Sequence, residues 1–253
     1  MVKRKGNNMR KFGLLGKDID YSFSKTFFTD YFKKNNIKAE YINFDEAEIP
    51  KLSSLTSTHS NLEGFNVTTP YKEAIIPFLD ELDETAKRIK AVNTVKFENG
   101  KSVGYNTDAY GFIRSIFPLI ENHHEQALIL GTGGAAKAIA SALKSMSIAT
   151  TFVSRNPKNA GEIAYTDLTE ELLNKHFLII NCTPIGTSPN EEKCPDIPYV
   201  YLTKKHFLYD LVYNPPLTKF LALGKQKGAK LSNGLKMLEY QALKAWNIWN
   251  ENK

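Results

Sequence analysis

Short apolar runs alternate with amphipathic stretches along most of this chain. Strand-length runs fall at residues 12–15, 41–44, 62–68, 91–95, 128–130, 151–153, 177–181 and 207–211. Helical spacing falls between them at 26–35, 48–56, 80–90, 109–117, after the glycines at 131–134 as far as 146, and at 168–175 and 235–249. Helix alternating with strand implies a parallel sheet. The aromatic side chains Phe27, Phe28, Tyr31 and Phe32 recur at helical spacing and read as core. Leu238, Leu243, Trp246 and Trp249 do the same on the last helix, which is expected to pack back on the first domain and make it discontinuous.

The pattern is broken by polar residues in apolar places. In the stretch 64–72, Phe65 and Val67 alternate with Asn66 and Thr68, so the two pairs face opposite sides of a strand. Pro70 ends that strand and can open a helix at its first turn, with Lys72 just inside. An amide, a hydroxyl and an ammonium at a strand's end suit a polyhydroxylated, anionic small molecule; a surface strand with a solvated lysine is the alternative. Ser22 and Ser24 precede the first helix and either cap it or donate hydroxyls to a carboxylate at its N-terminus. Asn93 interrupts an apolar strand, paired with backbone or aimed at a ligand. Asn99-Gly100 supplies the positive φ angles of a hairpin turn. Asp108 stands before an apolar helix as a cap, unless it lies near Lys72 and tunes that ammonium's proton exchange.

Residues 128–130 run into Gly131-Thr132-Gly133-Gly134-Ala135-Ala136, a G-x-G-x-x-A between strand and helix. Such glycines permit a tight turn and let a pyrophosphate approach the helix N-terminus. The next strand ends in Ser154-Arg155-Asn156, where NAD enzymes keep an acidic residue for the ribose. A guanidinium there pairs with a 2′-phosphate and favours NADP over NAD. Little room follows Arg155 for a full helix and strand, so the adenine edge is expected to be thinly covered. Thr183 lies in the turn 182–186 at the carboxyl end of a buried strand, and Tyr213 follows the last clear strand. Gln241 is the midhelix amide of the last helix.

Composition narrows the classes. The 253 residues allow two domains or one large α/β unit. No apolar run approaches the ~20 residues that cross a bilayer, and the basic N-terminus has no apolar stretch behind it, so no membrane and no secretory signal are expected. The first eight residues are expected to be disordered or a start-site extension. Two cysteines without metal spacing fit a reducing cytoplasm and no metal site. The net charge of +6 comes from dispersed lysines, which argues against nucleic acid and for attraction of small anions.

Taken in order, Ser22 and Ser24, Asn66-Val-Thr-x-Pro-x-Lys72, Ala-Val-Asn93-Thr, Asn-Thr-Asp108, Gly131-x-Gly-Gly-Ala, Ser-Arg155, Asn-x-Thr-Pro-x-Gly186, Asp210-Leu-Val-Tyr213 and Asn-Gly234-x-x-Met237-x-x-x-Gln241 resemble the shikimate dehydrogenases across residues 12–249. The resemblance implies an N-terminal α/β substrate domain (1–107 with 235–253) and a Rossmann-type doubly wound NADP-binding domain (108–234), with a deep cleft between them. It implies reversible reduction of 3-dehydroshikimate by NADPH in aromatic amino-acid biosynthesis, by a monomer or homodimer. Quinate/shikimate dehydrogenase activity with NAD, and a non-catalytic NADP-responsive binding protein, are the alternatives. Lys72 and Asp108 would be the catalytic pair. Ser22 and Ser24 would hold the substrate carboxylate, and Asn66, Thr68, Asn93, Asp108, Tyr213 and Gln241 would complete the substrate set with Lys72. Gly131, Thr132, Gly133, Gly134, Ala135, Ser154, Arg155, Thr183, Leu211 and Gly234 would hold the cofactor. The chain departs from the family pattern at Tyr21, Lys25, Phe28 and Thr29, around the carboxylate site.

Overall fold

The computed structural model describes residues 9–20 and 22–251. The expected N-terminal extension and the departure at Tyr21 lie outside the described residues. The chain divides into two compact units, one comprising residues up to Thr107 together with those from Ala242 onward, the other Asp108–Gln241.

In the first unit, β1 (Arg10–Gly16), β2 (Ala39–Asp45) and β3 (Leu62–Val67) are joined through α1 (Phe23–Lys34) and α2 (Leu52–Thr58). Next come α3 (Tyr71–Ala74), β4 (Glu81–Leu82), α4 (Glu84–Ile89), β5 (Thr94–Glu98) and β6 (Lys101–Tyr105). The sheet order is β2-β1-β3-β5-β6-β4. It is not the parallel sheet that the alternation implies: β1 is parallel to β2 and β3, but β5 runs antiparallel to both β3 and β6. The cause is the hairpin, where Asn99 and Gly100 take φ of 52° and 77°, the conformation its two-residue turn requires.

Two further expectations are corrected here. Residues 80–90 are not one helix, because the Asp83 carboxylate accepts from Thr85 N and Ala86 N and so starts α4 only at Glu84. The strand expected at 91–95 begins only at Thr94; before it, Val92 N donates to Lys72 O and Asn93 N to Tyr105 O.

Both faces of this sheet are covered. Leu15, Phe44, Phe65, Val67, Ile75 and Val95 pack on one side. Phe12, Phe28, Phe32 and Tyr41 pack on the other with Ala242, Ala245 and Trp249. The latter three belong to α9 (Leu235–Asn250), whose Trp249 indole donates to Val95 O at 2.9 Å.

The second unit holds α5 (Asp108–Ile116), β7 (Gln126–Leu130), α6 (Gly134–Ser145), β8 (Ala149–Ser154) and β9 (Glu162–Ala164). It continues through α7 (Glu170–Leu173), β10 (Leu178–Asn181), β11 (Phe207–Asp210), α8 (Lys219–Gln226) and β12 (Lys230–Ser232). Its strands are all parallel in the order β12-β11-β10-β7-β8-β9. Leu128, Leu130, Val153, Ile179 and Leu208 form its apolar floor. The segment after Arg155 contains no helix before β9, whose three residues make the edge strand.

Among the described residues no helix is long and apolar enough to cross a membrane, and no group of His, Cys, Asp and Glu is arranged to hold a metal ion.

At the amino end of this second sheet His124 is buried, its Nδ1 accepting from Glu121 N at 2.9 Å. Burial, with His123 adding a smaller effect, holds the ring's pKa down from 6.5 to about 4. The unfolded chain therefore takes up a proton below pH 6.5 that the folded chain refuses until about pH 4, so this contribution to stability is full above that window and is lost as pH falls through it. A His124→Gln variant lacks the titration. The gap in unfolding free energy between it and the parent should narrow from pH 7 to pH 4, by at most about 3 kcal/mol in urea titrations.

Candidate functional site

The polar residues singled out in the first unit converge through hydrogen bonds. Ser22 is the N-cap of α1, its Oγ accepting from Lys25 N at 3.4 Å, and Ser24 lies one residue inside the helix. Ser24 also shares a hydrogen bond with the hydroxyl of Tyr41, a ring buried in the core. Tyr41 donates to Asn66 Oδ1 at 2.7 Å, while Asn66 Nδ2 donates to Asn93 O at 3.1 Å and Thr94 Oγ1 at 3.0 Å. Asn93 in turn accepts from Thr107 N at 2.7 Å and donates to Thr107 Oγ1 at 2.9 Å. One chain of bonds thus runs from Ser24 to the residue before Asp108.

Asn66 is committed to the protein at both ends of its amide. Both of its N–H bonds are spent inside the protein, so toward a ligand it offers only a lone pair on Oδ1. Thr68 follows β3 with its N–H on Leu15 O, and its carbonyl accepts from Tyr71 N. Pro70 is the N-cap of α3 rather than its first residue, and Lys72 is the second residue of that short helix. The bond from Val92 N to Lys72 O, 2.7 Å, ties the lysine backbone to the segment that carries Asn93.

The departures in α1 divide by burial. Phe28 is fully buried and stacks on Tyr41 with centroids 4.7 Å apart, whereas Lys25 and Thr29 are exposed. The apolar ring at 28 is therefore part of the core beneath the site.

In the second unit Asp108 is the first residue of α5 and is buried, and Gln241 is buried on α9 with its Nε2 on Leu238 O at 3.0 Å. The two helices meet at Gly111, where a Cβ would stand 2.6 Å from Met237 O and 2.9 Å from Gln241 N; only glycine permits that approach. Tyr213 is half-buried beyond β11.

Gly131 opens the turn after β7 with φ of +105°, a backbone that L side chains rarely adopt, and its N–H bonds Val153 O at 2.9 Å. Thr132, Gly133, Gly134 and Ala135 follow. Gly133 is the N-cap of α6 with no side chain over the helix end, and a Cβ there would meet nothing within 4 Å. The N-terminus of α6 thus carries no side-chain cap, and the space over Gly133 is open.

A pocket of about 520 Å³ lies beside this turn, lined by Thr132, Lys137, Ser154, Arg155, Lys158 and Glu162 among others. Glu162 is held by Lys158 N at 2.8 Å and Asn159 Nδ2 at 2.6 Å, bonds that depress its pKa. Three cations against that single carboxylate give the pocket a positively charged lining.

Thr183 Oγ1 and N both donate to Asn181 Oδ1, at 2.6 Å and 3.0 Å, and the Thr183 methyl lies against Gly131. Leu211 and Gly234 are neighbours, with Gly234 N donating to Val212 O at 3.3 Å.

Sequence reasoning missed Tyr41, Thr94, Thr107, Lys137, Lys158, Asn181, Asp210 and Thr218 as parts of these networks. Asn181 and Asp210 carried a signal, each being a polar residue that closes an otherwise apolar strand. Tyr41 carried none, since a tyrosine in a strand reads as packing.

A doubly wound parallel sheet with a glycine turn after its central strand and a cationic pocket at the next strand defines the second unit as a Rossmann-type dinucleotide-binding domain. Residues 14–95 match the family described as the shikimate dehydrogenase substrate binding domain. A protein of Clostridium botulinum named shikimate dehydrogenase (NADP(+)) is 39% identical over 246 residues, covering 94% of this chain and 95% of that one. The crystal structure of shikimate dehydrogenase from Aquifex aeolicus superposes with a TM-score of 0.86 at 36% identity, covering 96% of this chain and 92% of the other. That of the Thermus thermophilus enzyme in complex with NADP(H) and shikimate gives 0.84 at 31% identity, covering 95% and 93%. The chain belongs to the shikimate dehydrogenase family.

Removing the Tyr41 hydroxyl takes an O–H donor from Asn66 Oδ1 in a buried place. Tyr41→Phe should lower unfolding free energy by about 1–2 kcal/mol in denaturant titrations, with the cooperativity of unfolding unchanged.

Proposed function

We propose that this chain catalyses the reversible, NADP-dependent interconversion of 3-dehydroshikimate and shikimate, the first unit binding substrate and the second binding cofactor. The observation that carries the cofactor half is the pocket in which Lys137, Arg155 and Lys158 surround the place of a ribose phosphate, next to the open N-terminus of α6. The same cations disfavour the NAD-using quinate alternative, because a 2′-hydroxyl gives them no charge to neutralise.

In this reading Gly131, Thr132, Gly133, Gly134 and Ala135 cradle the pyrophosphate, Ser154 and Arg155 take the 2′-phosphate, and Thr183, Leu211 and Gly234 border the remainder. Bound NADPH supplies the hydride. As hydride reaches the carbonyl carbon at the 3-position, negative charge grows on its oxygen, and the Lys72 ammonium gives that oxygen a proton from Nζ. Asp108 would serve with Lys72 as the other member of the catalytic pair, accepting from a substrate hydroxyl. In the oxidative direction Lys72 takes the proton back at Nζ.

Ser22 and Ser24 would bind the ring carboxylate at the N-terminus of α1, which the dipole already favours. To do so, Ser24 redirects the hydroxyl that it shares with Tyr41. Asn66, Thr68, Asn93, Tyr213 and Gln241 would read the ring hydroxyls, with Asn66 acting as an acceptor. In this reading the enzyme would act in the cytoplasm, at a step of aromatic amino-acid biosynthesis.

The test of the reading is nicotinamide absorbance with shikimate or quinate and NADP or NAD in all four pairings. Reduction chiefly with shikimate and NADP is expected; reduction chiefly with quinate and NAD would overturn both assignments. Lys72→Ala should leave NADPH binding nearly intact and lower kcat by about two to four orders of magnitude. Arg155→Ala should raise KM for NADP by about tenfold or more while leaving that for NAD nearly unchanged, the loss of one charge-assisted phosphate contact being worth about 1.5–3 kcal/mol.

A further inference from the structure

Asp210 is a carboxylate outside the reaction described above, and it is completely buried at the end of β11. Three donors converge on it. Asn181 Nδ2 and Val212 N reach Oδ1 at 2.9 Å and 3.0 Å, and Thr218 Oγ1 reaches Oδ2 at 2.5 Å.

The direction of each bond follows from chemistry alone. An ionised carboxylate accepts only, so the amide of Asn181 must turn its nitrogen toward Asp210 and its oxygen away. That oxygen then accepts both the N–H and the hydroxyl of Thr183. With its hydroxyl turned inward, Thr183 presents its methyl to Gly131, 3.1 Å from where a Cβ on that glycine would stand. The second N–H of Asn181 bonds Ile185 O at 3.3 Å, and Thr183 Oγ1 accepts from Ile185 N, so Thr183 and Ile185 of the turn at 182–186 are both tied to one amide. Thr218, on the other side of Asp210, caps α8.

We propose that Asp210, acting through Asn181, is a positioning residue for the dinucleotide: it fixes the turn at 182–186 against Gly131 and thereby sets the affinity of the pyrophosphate turn. The proposal rests on the reading of this unit as a cofactor-binding domain. It assigns Asp210 no contact with cofactor or substrate.

The experiment is a fluorescence titration of NADPH onto the full-length protein, well below the melting temperature of each variant, with melting curves recorded in parallel. Asp210→Ala should weaken NADPH by about tenfold or more, the scale of coupling within one buried network. Asp210→Asn should stay within about threefold of the parent, because its amide oxygen still accepts from Asn181 and Val212 and its nitrogen can donate to Thr218. Asn181→Leu should match the loss in Asp210→Ala, and the double variant should be little worse than either.

An Asp210→Ala protein that melts lower but binds NADPH within twofold of the parent would reduce the residue to a structural role and overturn the proposal. Losses that multiply in the double variant would overturn the route through Asn181. Should Asp210→Ala not fold, Asn181→Leu decides alone, with a change below twofold counting against. A parent that binds no NADPH sinks the cofactor reading itself, a result distinct from unchanged binding in the variants.

Discussion

The bond between Asn181 and Asp210 joins the last residues of two neighbouring parallel strands, in a place that water does not reach. A buried polar pair costs stability unless each atom is matched, and here every partner is set by the one beside it. From that bond the turn after β10, the N-cap of α8 and the backbone after β11 all take their direction. Burial raises the pKa of Asp210 to about 6, yet it is a group whose protonated form could still keep its bonds through Oδ1. The apolar floor beneath gives the unit its sheet; the polar edge gives the sheet a shaped rim.

The first unit solves the same problem with amides. Asn66 and Asn93 sit where neighbouring segments meet, and each is tied on two sides to threonine hydroxyls or backbone. An amide fixed in this way has lost its freedom to flip, so whatever binds must match the donor or acceptor left facing it. The aromatic packing of Phe28 on Tyr41 extends that rigidity down into the core.

Much of this was legible in the chain itself. The glycine turn, Arg155 after β8 and the alternation around Asn66 depend on short-range patterns, and such patterns survive in a string of residues. The mixed direction of the first sheet was less legible, since it depends on where β5 pairs rather than on what it contains. The late start of α4 lay in Asp83, a cap within a stretch whose apolar spacing alone reads as continuous helix. Tyr41 and Thr218 were hidden for another reason: their partners lie twenty-five and eight residues away, and only the folded chain brings those atoms together.

One consequence of the last helix concerns how the protein is made. Phe12, Phe28, Phe32 and Tyr41 leave the ribosome long before Ala242, Ala245 and Trp249, which bring the apolar face that completes their core. Everything needed for the unit at 108–241 is translated before that point. The unit that begins first is thus the one that finishes last, and its exposed aromatic residues must wait through the whole of the other unit's translation. A chain cut after Gln241 would hold every residue of the later unit and leave the earlier one without Ala242, Ala245 and Trp249.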